Sequence, residues 1–158
     1  MPMNITRPNS LDAIDKIAPF ISVPNSEMKQ LFLADLAVLM VQNPMALLFL
    51  TWFDDIEEDI RAFLIAKDPG PHYPYVKVTQ LWSHPDNPRS WLEPFFGQLV
   101  LWAIAHDKKY MLAETQRDLG AVLQRFKFEP YAQIVKFDLV DSGYYYQLTQ
   151  HPEEVING

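Results

Sequence analysis

The stretch from residue 75 to residue 139 constrains the fold most, because strand-like and helix-like patterns alternate along it. Short alternating segments at 75–82, 110–114 and 131–140 are typical of strands. Between them, apolar residues recur at helical spacing, first from Leu92 to about Asp107 and then over 115–126. This half of the chain is therefore predicted to run strand, helix, strand, helix, strand.

The half before it predicts a short strand, two helices and two buried strands. Residues 3–7 alternate, and 11–21 have helical spacing until Pro24 breaks the pattern. Asn25 or Ser26 can cap a second helix that ends at Pro44, with an apolar face comprising Met28, Leu31, Phe32, Leu36 and Leu39. The apolar runs 45–53 and 60–67 are predicted to be buried strands joined by an acidic turn.

The fourth predicted strand, VKVTQLW, loses its alternation part of the way along. Val76 and Val78 share one face, yet the next apolar residue is Leu81 and not Gln80. An extra, unpaired residue in a β-bulge produces such a slip. A bulge is therefore predicted between Val78 and Leu81.

Composition limits the broad class. A chain of 158 residues favours one domain, here expected over 1–150 with a polar tail at 151–158. The net charge of −7 argues against nucleic-acid binding, and the lack of cysteine fits a cytoplasmic protein. The start MPMNITRPNS lacks the pattern of a signal peptide. Polar residues and Pro44 interrupt the apolar stretch 31–53, which argues against a membrane span.

The order of elements resembles the GNAT (N-acetyltransferase) superfamily over nearly the whole chain. The opening Ile5, Thr6, Arg7, Pro8 is similar to the family's start. The segment LGAVLQRFKFEP resembles the family's helix that ends in lysine, any residue, Gly-Phe, with Phe128 in the place of that phenylalanine. The resemblance implies an α/β (α+β) fold with a mixed, mostly antiparallel sheet. It also implies that the fourth and fifth strands splay and that helices cover both faces.

In that family a glycine-rich loop after the fourth strand binds the pyrophosphate of coenzyme A at a helix N-terminus. Here Arg89 corresponds to the family's arginine, but Leu92 and Pro94 stand at the glycine positions and Glu93 adds a negative charge. Leu123 stands where a tyrosine often serves as general acid, and an aliphatic side chain cannot donate a proton. The usual cofactor chemistry is therefore in question.

The first hypothesis is a degenerate, non-catalytic binding or assembly module that uses no cofactor. The same departures resemble small GNAT-like proteins of bacteriophages, some of which travel in the virion, so the host cytoplasm or a virion is the expected location. A protein partner is expected at the aromatic segment Tyr144, Tyr145, Tyr146.

The alternative is an N-acyltransferase that uses acetyl-CoA or another acyl-CoA. The resemblance then implies that the fourth strand near Leu81 and Trp82 holds the pantetheine arm and that Arg89 holds the phosphates. Glu114 or His84 would act on the acceptor amine. The sequence leaves both hypotheses open. A mouth between the fourth and fifth strands filled by Trp82, Trp91 or Tyr110 favours the first, and an open cleft favours the second.

No metal site is predicted, because the four histidines are far apart in sequence and lack paired carboxylates. The acidic run DDIEED lacks the glycine and the alternating oxygens of a calcium loop. It is expected to be a charged hairpin tip.

Overall fold

The computed structural model of the chain describes residues 3–56 and 58–113, together with Phe126, Phe128 and Glu129. The chain divides into two units, Met1–Gln116 and Arg117–Gly158, and the first unit contains all of the following elements. Its helices and strands are β1 (Ile5–Thr6), α1 (Asp12–Ile17), α2 (Ser26–Gln42), β2 (Leu47–Phe53), β3 (Ile60–Lys67), β4 (Tyr75–Ser83), α3 (Leu92–Ala105) and β5 (Tyr110–Ala113). Single turns of 3₁₀ helix occur at Ala18–Phe20, Pro44–Ala46 and Arg89–Trp91.

These elements follow the predicted order. The helix predicted over 115–126, the strand over 131–140 and the aromatic segment Tyr144, Tyr145, Tyr146 lie almost wholly outside the described residues. They stay predictions, as does the division into a domain over 1–150 and a tail.

The five strands form one sheet in the order β1-β2-β3-β4-β5. The pairs from β1 to β4 are antiparallel, whereas β4 and β5 are parallel and are joined through α3. This is the mixed, mostly antiparallel sheet of an α+β fold that the family resemblance implies. Every residue of β2 except the last is buried, which confirms a central strand covered on both faces.

Helices α1 and α2 cover one face of the sheet. Buried apolar side chains of both helices pack with alternate residues of β2 and β3: Ala13, Ile14, Ile17, Leu36, Leu47, Phe49, Phe63 and Ile65. Residues Leu48, Leu50 and Leu64 point to the opposite face and are buried there. Helix α3 supplies buried Phe95, Leu99 and Trp102 to that second layer.

The start of α2 agrees with the sequence, but its buried face does not. The Asn25 side chain caps the helix, with Oδ1 accepting the N–H of Met28 at 2.8 Å. Leu36 is buried, yet Met28 and Leu31, both predicted to be on the buried face, are 46% and 66% exposed. The helix carries apolar residues all round, so its periodicity does not select one face.

The predicted bulge in β4 is present. Ile65 of β3 pairs with Gln80, and the next residue, Ala66, pairs with Val78, so Thr79 is the extra residue. Its hydroxyl donates to the carbonyl of Ile65 at 3.2 Å. Beyond the bulge the side chains of β4 exchange faces of the sheet. Val78 therefore faces α3, whereas Gln80 lies on the α1/α2 side.

At the opposite end of the sheet, a buried ionic cluster joins the β3–β4 loop to the turn after α3. The Asp68 carboxylate contacts His106 Nδ1 and Lys108 Nζ, each at 2.8 Å, and accepts the N–H of Gly70 at 2.9 Å. Lys108 also donates to the carbonyls of Gly70 and Tyr73 at 2.6 and 2.8 Å, and its side chain is only 3% exposed. Its ammonium therefore binds the β3–β4 loop to the turn after α3.

The cluster also controls the ionisation of Asp68. Burial alone would raise the pKa of this carboxyl, but hydrogen bonds from Lys108, Gly70 and His106 outweigh it and lower the pKa from 3.8 to about 2. The carboxylate is thus held ionised by the fold.

Among the described residues, no helix is both long and apolar enough to cross a membrane. In the same part of the chain, no three histidine, aspartate or glutamate side chains lie close enough together to hold a metal ion. The acidic run forms the β2–β3 hairpin tip, where Asp54 Oδ1 accepts the N–H of Ile56 at 2.9 Å.

Candidate functional site

The half of β4 beyond the bulge has one edge that β5 does not cover in the described residues. Pairing with β5 runs from Tyr75 opposite Tyr110 to Val78 opposite Ala113. On the other edge, the N–H of His84 donates to the carbonyl of Arg61 at 2.8 Å, beyond the end of β3 pairing at Ser83. Because main-chain groups alternate along a strand, the N–H and C=O of Leu81 and Ser83 face away from β3. This edge therefore presents strand-like donors and acceptors.

The loop that follows β4 is fixed to the start of β3 by one amide side chain. Asn87 Nδ2 donates to the carbonyl of Arg61 at 2.7 Å, and Asn87 Oδ1 accepts from Arg61 Nη2 at 2.7 Å. Arg61 is itself the extra residue of a second bulge, since Trp52 pairs with Ala62 and Phe53 with Ile60. Two hydrogen bonds between Asn87 and Arg61 thus hold the path from β4 into α3. One comes from the charged guanidinium and the other goes to the main-chain carbonyl.

Helix α3 begins directly after this loop, at the residues that replace the family's glycines. Leu92 is only 8% exposed, so its side chain belongs to the core under α3 and does not cover the outer surface of the loop. Glu93 and Pro94 are exposed in the first turn. The first four N–H groups of a helix lack partners within it, and Pro94 removes just one of them. Of the three predicted obstacles in the loop, Glu93 and Pro94 therefore lie on its surface and Leu92 does not.

Arg89 lies in the 3₁₀ turn Arg89–Trp91 immediately before α3, and its side chain is exposed. Both Arg89 and Glu93 take part in polar or ionic contacts within the chain. Arg89 is thus close in sequence and in space to the helix start, as an anion-binding arginine would need to be.

The remaining predicted site residues divide between the two faces of the sheet. Leu81 is on the α3 side and 44% exposed. Trp82 is on the α1/α2 side, where its ring stacks on Phe20 with centroids 4.1 Å apart. His84 follows at 6.4 Å from the Trp82 ring, edge to face. Glu114 lies outside the described residues, so its position relative to His84 stays untested.

The imidazole of His84 already uses one nitrogen. Its Nδ1 accepts the N–H of Asp86 at 3.1 Å, and the side chain is 35% exposed. In the neutral ring this bond places the proton on Nε2, which can then donate a hydrogen bond but not accept one. This geometry favours His84 as a donor over His84 as a base.

The mouth between β4 and β5 lies partly outside the described residues, but contacts of the three aromatic residues expected to fill it are described. Trp82 packs against Phe20 and Phe63, and Trp91 contacts Phe95 at 5.6 Å between ring centroids. Tyr110 pairs with Tyr75, at the far end of the parallel pair.

Two surface pockets are lined by described residues. One of about 490 Å³ is beside the buried ionic cluster, at the other end of the sheet, and includes His106 and Lys108. The other, of about 420 Å³, is beside the first turn of α3, with Trp52, Arg61 and Pro94 in its wall. Neither of these two pockets includes a described residue of β4, so we define the candidate site by the strand edge and the adjoining start of α3.

Sequence reasoning missed the residues that position this edge. Asn87 and Arg61 gave no signal, because they are far apart in sequence and neither residue type is unusual in a loop or an edge position. Gln80 gave a partial signal, since it broke the alternation of β4, but its partner in the α1–α2 connection was not predicted.

No family model matches the chain, and no curated protein does either. Solved structures do match. A protein described as a predicted acetyltransferase, with acetyl-CoA, from Clostridium acetobutylicum is 15% identical, with a TM-score of 0.67 over 89% of this chain and 98% of that one. The aminoglycoside 6′-N-acetyltransferase AAC(6′)-Ih of Acinetobacter baumannii is 17% identical, with a TM-score of 0.64 over 87% of this chain and 97% of that one.

A third match is the PaiA N-acetyltransferase of Thermoplasma acidophilum in complex with coenzyme A. It is 12% identical, with a TM-score of 0.58 over 80% of this chain and 89% of that one. At these identities the matches establish the fold, and the chain has the GNAT fold.

The expectation that the chain uses no cofactor is wrong. Structures that share its fold over most of its length carry acetyl-CoA or coenzyme A, which points to an acyl-CoA. The physical reason for the error is visible at Leu92, whose side chain points into the core and leaves the loop surface clear. Resemblance to bacteriophage proteins and a virion role stay predictions.

Proposed function

We propose that the chain is an acyl-CoA-dependent N-acyltransferase. It binds the pantetheine arm along the β4 edge and transfers the acyl group to an amine. The observation that carries this proposal is the bulge at Thr79, beyond which the N–H and C=O groups of Leu81 and Ser83 face away from β3. No described residue of β5 pairs with these groups, and the amide groups of a pantetheine arm can pair with them as a strand does.

The phosphates of the cofactor are assigned to the start of α3. A helix N-terminus attracts anions through its unpaired N–H groups and its dipole, and α3 is 14 residues long. Arg89 adds a positive charge one turn earlier, and Leu92 leaves the surface accessible. Glu93 opposes the phosphates, so we expect weaker binding than a glycine-rich loop would give.

In the transfer step, the acceptor nitrogen attacks the thioester carbonyl, a C–N bond forms and the C–S bond breaks. The amine loses a proton and the departing thiolate gains one, giving free coenzyme A. His84 can stabilise the departing thiolate by a hydrogen bond from its Nε2–H, and the proton that the thiolate gains comes from water. Glu114 is the remaining candidate for the first task.

Fold similarity supports the same reaction class. The matched proteins from Acinetobacter baumannii and Thermoplasma acidophilum are described as N-acetyltransferases. A shared fold does not by itself establish activity, so binding and turnover must be measured on this chain.

Titration calorimetry with acetyl-CoA tests the cofactor site. We expect Arg89→Ala to weaken binding about tenfold or more, because a hydrogen bond to a charged group contributes about 1.5–3 kcal/mol. Arg7→Ala is the matched control. It removes the same charge at the other end of the sheet, where Arg7 donates to the carbonyl of Leu47 at 3.2 Å. Equal affinity of the two variants would show that the phosphate assignment is wrong.

Turnover is measured as release of the coenzyme A thiol with a thiol-reactive dye. The chain has no cysteine, so every thiol detected comes from the cofactor. Phenethylamine, spermidine, kanamycin and a lysine peptide serve as acceptors. Absence of both acetyl-CoA binding and thiol release would refute the proposed function.

A further inference from the structure

Helix α2 carries a second apolar face on the side away from the sheet. Four apolar side chains on this face are exposed to solvent: Leu31, Ala34, Val38 and Val41. The exposed fractions of Leu31, Val38 and Val41 are 66%, 48% and 70%. With 3.6 residues per turn, the four lie within about 80° of one another around the helix and opposite Leu36, which is buried against the sheet. This row is termed the outer stripe of α2.

The spacing within the outer stripe is that of a seam between two helices. Successive members are three, four and three residues apart, which is the alternation of a and d positions in a coiled coil. Side chains at this spacing interlock with an equivalent row on another helix that crosses at about 20°. Single exposed apolar residues are normal on a protein surface, but a continuous row of them is typical of an interface. The outer stripe therefore indicates a second helix as its partner.

The charges around the outer stripe narrow the choice of partner. From residue 30 to residue 53 the only charged side chain is Asp35, and it is paired with Lys67. A helix that lies on a lipid surface carries lysine or arginine beside its apolar face, whereas Gln30 and Gln42 flank the stripe here. A seam without charged flanks matches a helix that is equally poor in charge. The same helix in a second copy of the chain has that property.

The few charges of α2 also decide how two copies of the helix would pair. In a parallel pair, Glu27 and Asp35 would each lie beside their own counterparts, and like charges across an interface are costly. In an antiparallel pair centred on Val38, Asp35 lies beside Val41 of the partner subunit, and Glu27 lies beyond the end of the other helix at residue 42. Antiparallel helices also bring the positive end of each dipole beside the negative end of the other.

We propose that two copies of the chain associate through the outer stripe of α2, antiparallel and related by a two-fold axis at Val38. The interface is self-complementary, because Ala34 of each chain meets Val41 of the partner subunit. The 17 residues of α2 span about 25 Å, so the helix pair buries less than the roughly 800 Å² per partner of a standard complex. The dimer is therefore expected to be weak and to exchange with monomer at micromolar concentrations. It does not depend on the proposed acyl transfer, so either proposal can fail alone.

Disulfide formation tests the arrangement directly, because the chain has no cysteine of its own. Val38→Cys places two thiols at the two-fold axis, where the Cα atoms can approach to the roughly 4–7 Å that a disulfide needs. Leu31→Cys is the matched control, because its two thiols lie about 20 Å apart along the antiparallel helices. With a copper catalyst in air, we expect Val38→Cys to form linked dimer at least about tenfold faster than Leu31→Cys. Equal rates would contradict the arrangement, since a parallel pair links both positions.

Sedimentation equilibrium at increasing protein concentration measures the association itself. Val38→Glu should raise the dissociation constant at least about a hundredfold, because it brings two like charges together at the axis. Leu101→Glu is the control, since Leu101 is 70% exposed on α3 and lies on a different helix. Its dissociation constant should stay within about twofold of the wild-type value. Circular dichroism of both variants shows whether the monomer is folded.

Three results would overturn the proposal. Wild-type chain that stays monomeric at every concentration, together with no linked Val38→Cys dimer, would show that the interface does not form. A monomeric Val38→Cys whose thiol does not react with a dye would show that another part of the same chain covers the outer stripe. Equal effects of Leu101→Glu and Val38→Glu would show that added charge in general, and not the stripe, controls association.

Discussion

Asp68→Asn is expected to destabilise the protein by removing the charge that balances a buried lysine. The Asp68 side chain is 16% exposed and that of Lys108 is 3% exposed. Asparagine preserves the shape and one acceptor, but the Lys108 ammonium then keeps only the carbonyls of Gly70 and Tyr73. Leaving a buried charge without its counter-ion is costly.

The lowered pKa of Asp68 gives the magnitude. A fall from 3.8 to about 2 corresponds to a preference of about 2 kcal/mol for the ionised folded form. Since the folded-state pKa lies below the unfolded one, this stability is fully present above the unfolded value and is lost as the pH falls through the folded value. We expect a contribution of about 2 kcal/mol near pH 7 and about 1 kcal/mol near pH 3.

Urea unfolding followed by tryptophan fluorescence at several pH values measures this difference between wild type and variant. Asp35→Asn is the matched control, because it breaks another aspartate–lysine pair, that of Asp35 with Lys67. The Asp35 side chain is 53% exposed. An exposed pair contributes about 1 kcal/mol or less. If the wild-type advantage over Asp68→Asn stayed constant from pH 7 to pH 3, the carboxylate would not be the stabilising group.

Two further changes test single backbone features. Asp107 has a φ of 58° just after α3, so Asp107→Gly should stabilise the protein by about 0.5 kcal/mol in urea unfolding, and a loss of stability would contradict this. Asn87→Ala should cost about 1–2 kcal/mol by removing both bonds to Arg61. Asp86 is on the same loop with its side chain 81% exposed, so Asp86→Ala should change stability by less than about 0.5 kcal/mol. Equal losses of stability in the two variants would show that the Asn87–Arg61 bonds do not stabilise the loop.

Features that depend on neighbouring residues were predictable from the sequence. The bounds of β3 and the start of α3 follow from local apolar patterns and breakers. The bulge at Thr79 was detectable because a one-residue slip exchanges the faces of all later residues.

Features that depend on distant partners were not. The face of α2 could not be chosen, because apolar residues surround the helix and only packing distinguishes Leu36 from Leu31. The ion pair of Lys108 could not be predicted, since its partner Asp68 is 40 residues earlier. Leu92 was interpreted as an obstacle because its sequence position does not reveal that its side chain points inward.

The same distinction explains why the candidate site was recognised only in part. Two properties of the site are linked to Thr79. The bulge precedes the main-chain groups of Leu81 and Ser83 that face away from β3, and it turns Gln80 toward Ser22. A sequence pattern can reveal such a slip, but it does not show which residues contact the strand there. Ser22 is 58 residues before Gln80, so only the folded chain shows that the extra residue brings the Gln80 amide to the main chain of the α1–α2 connection.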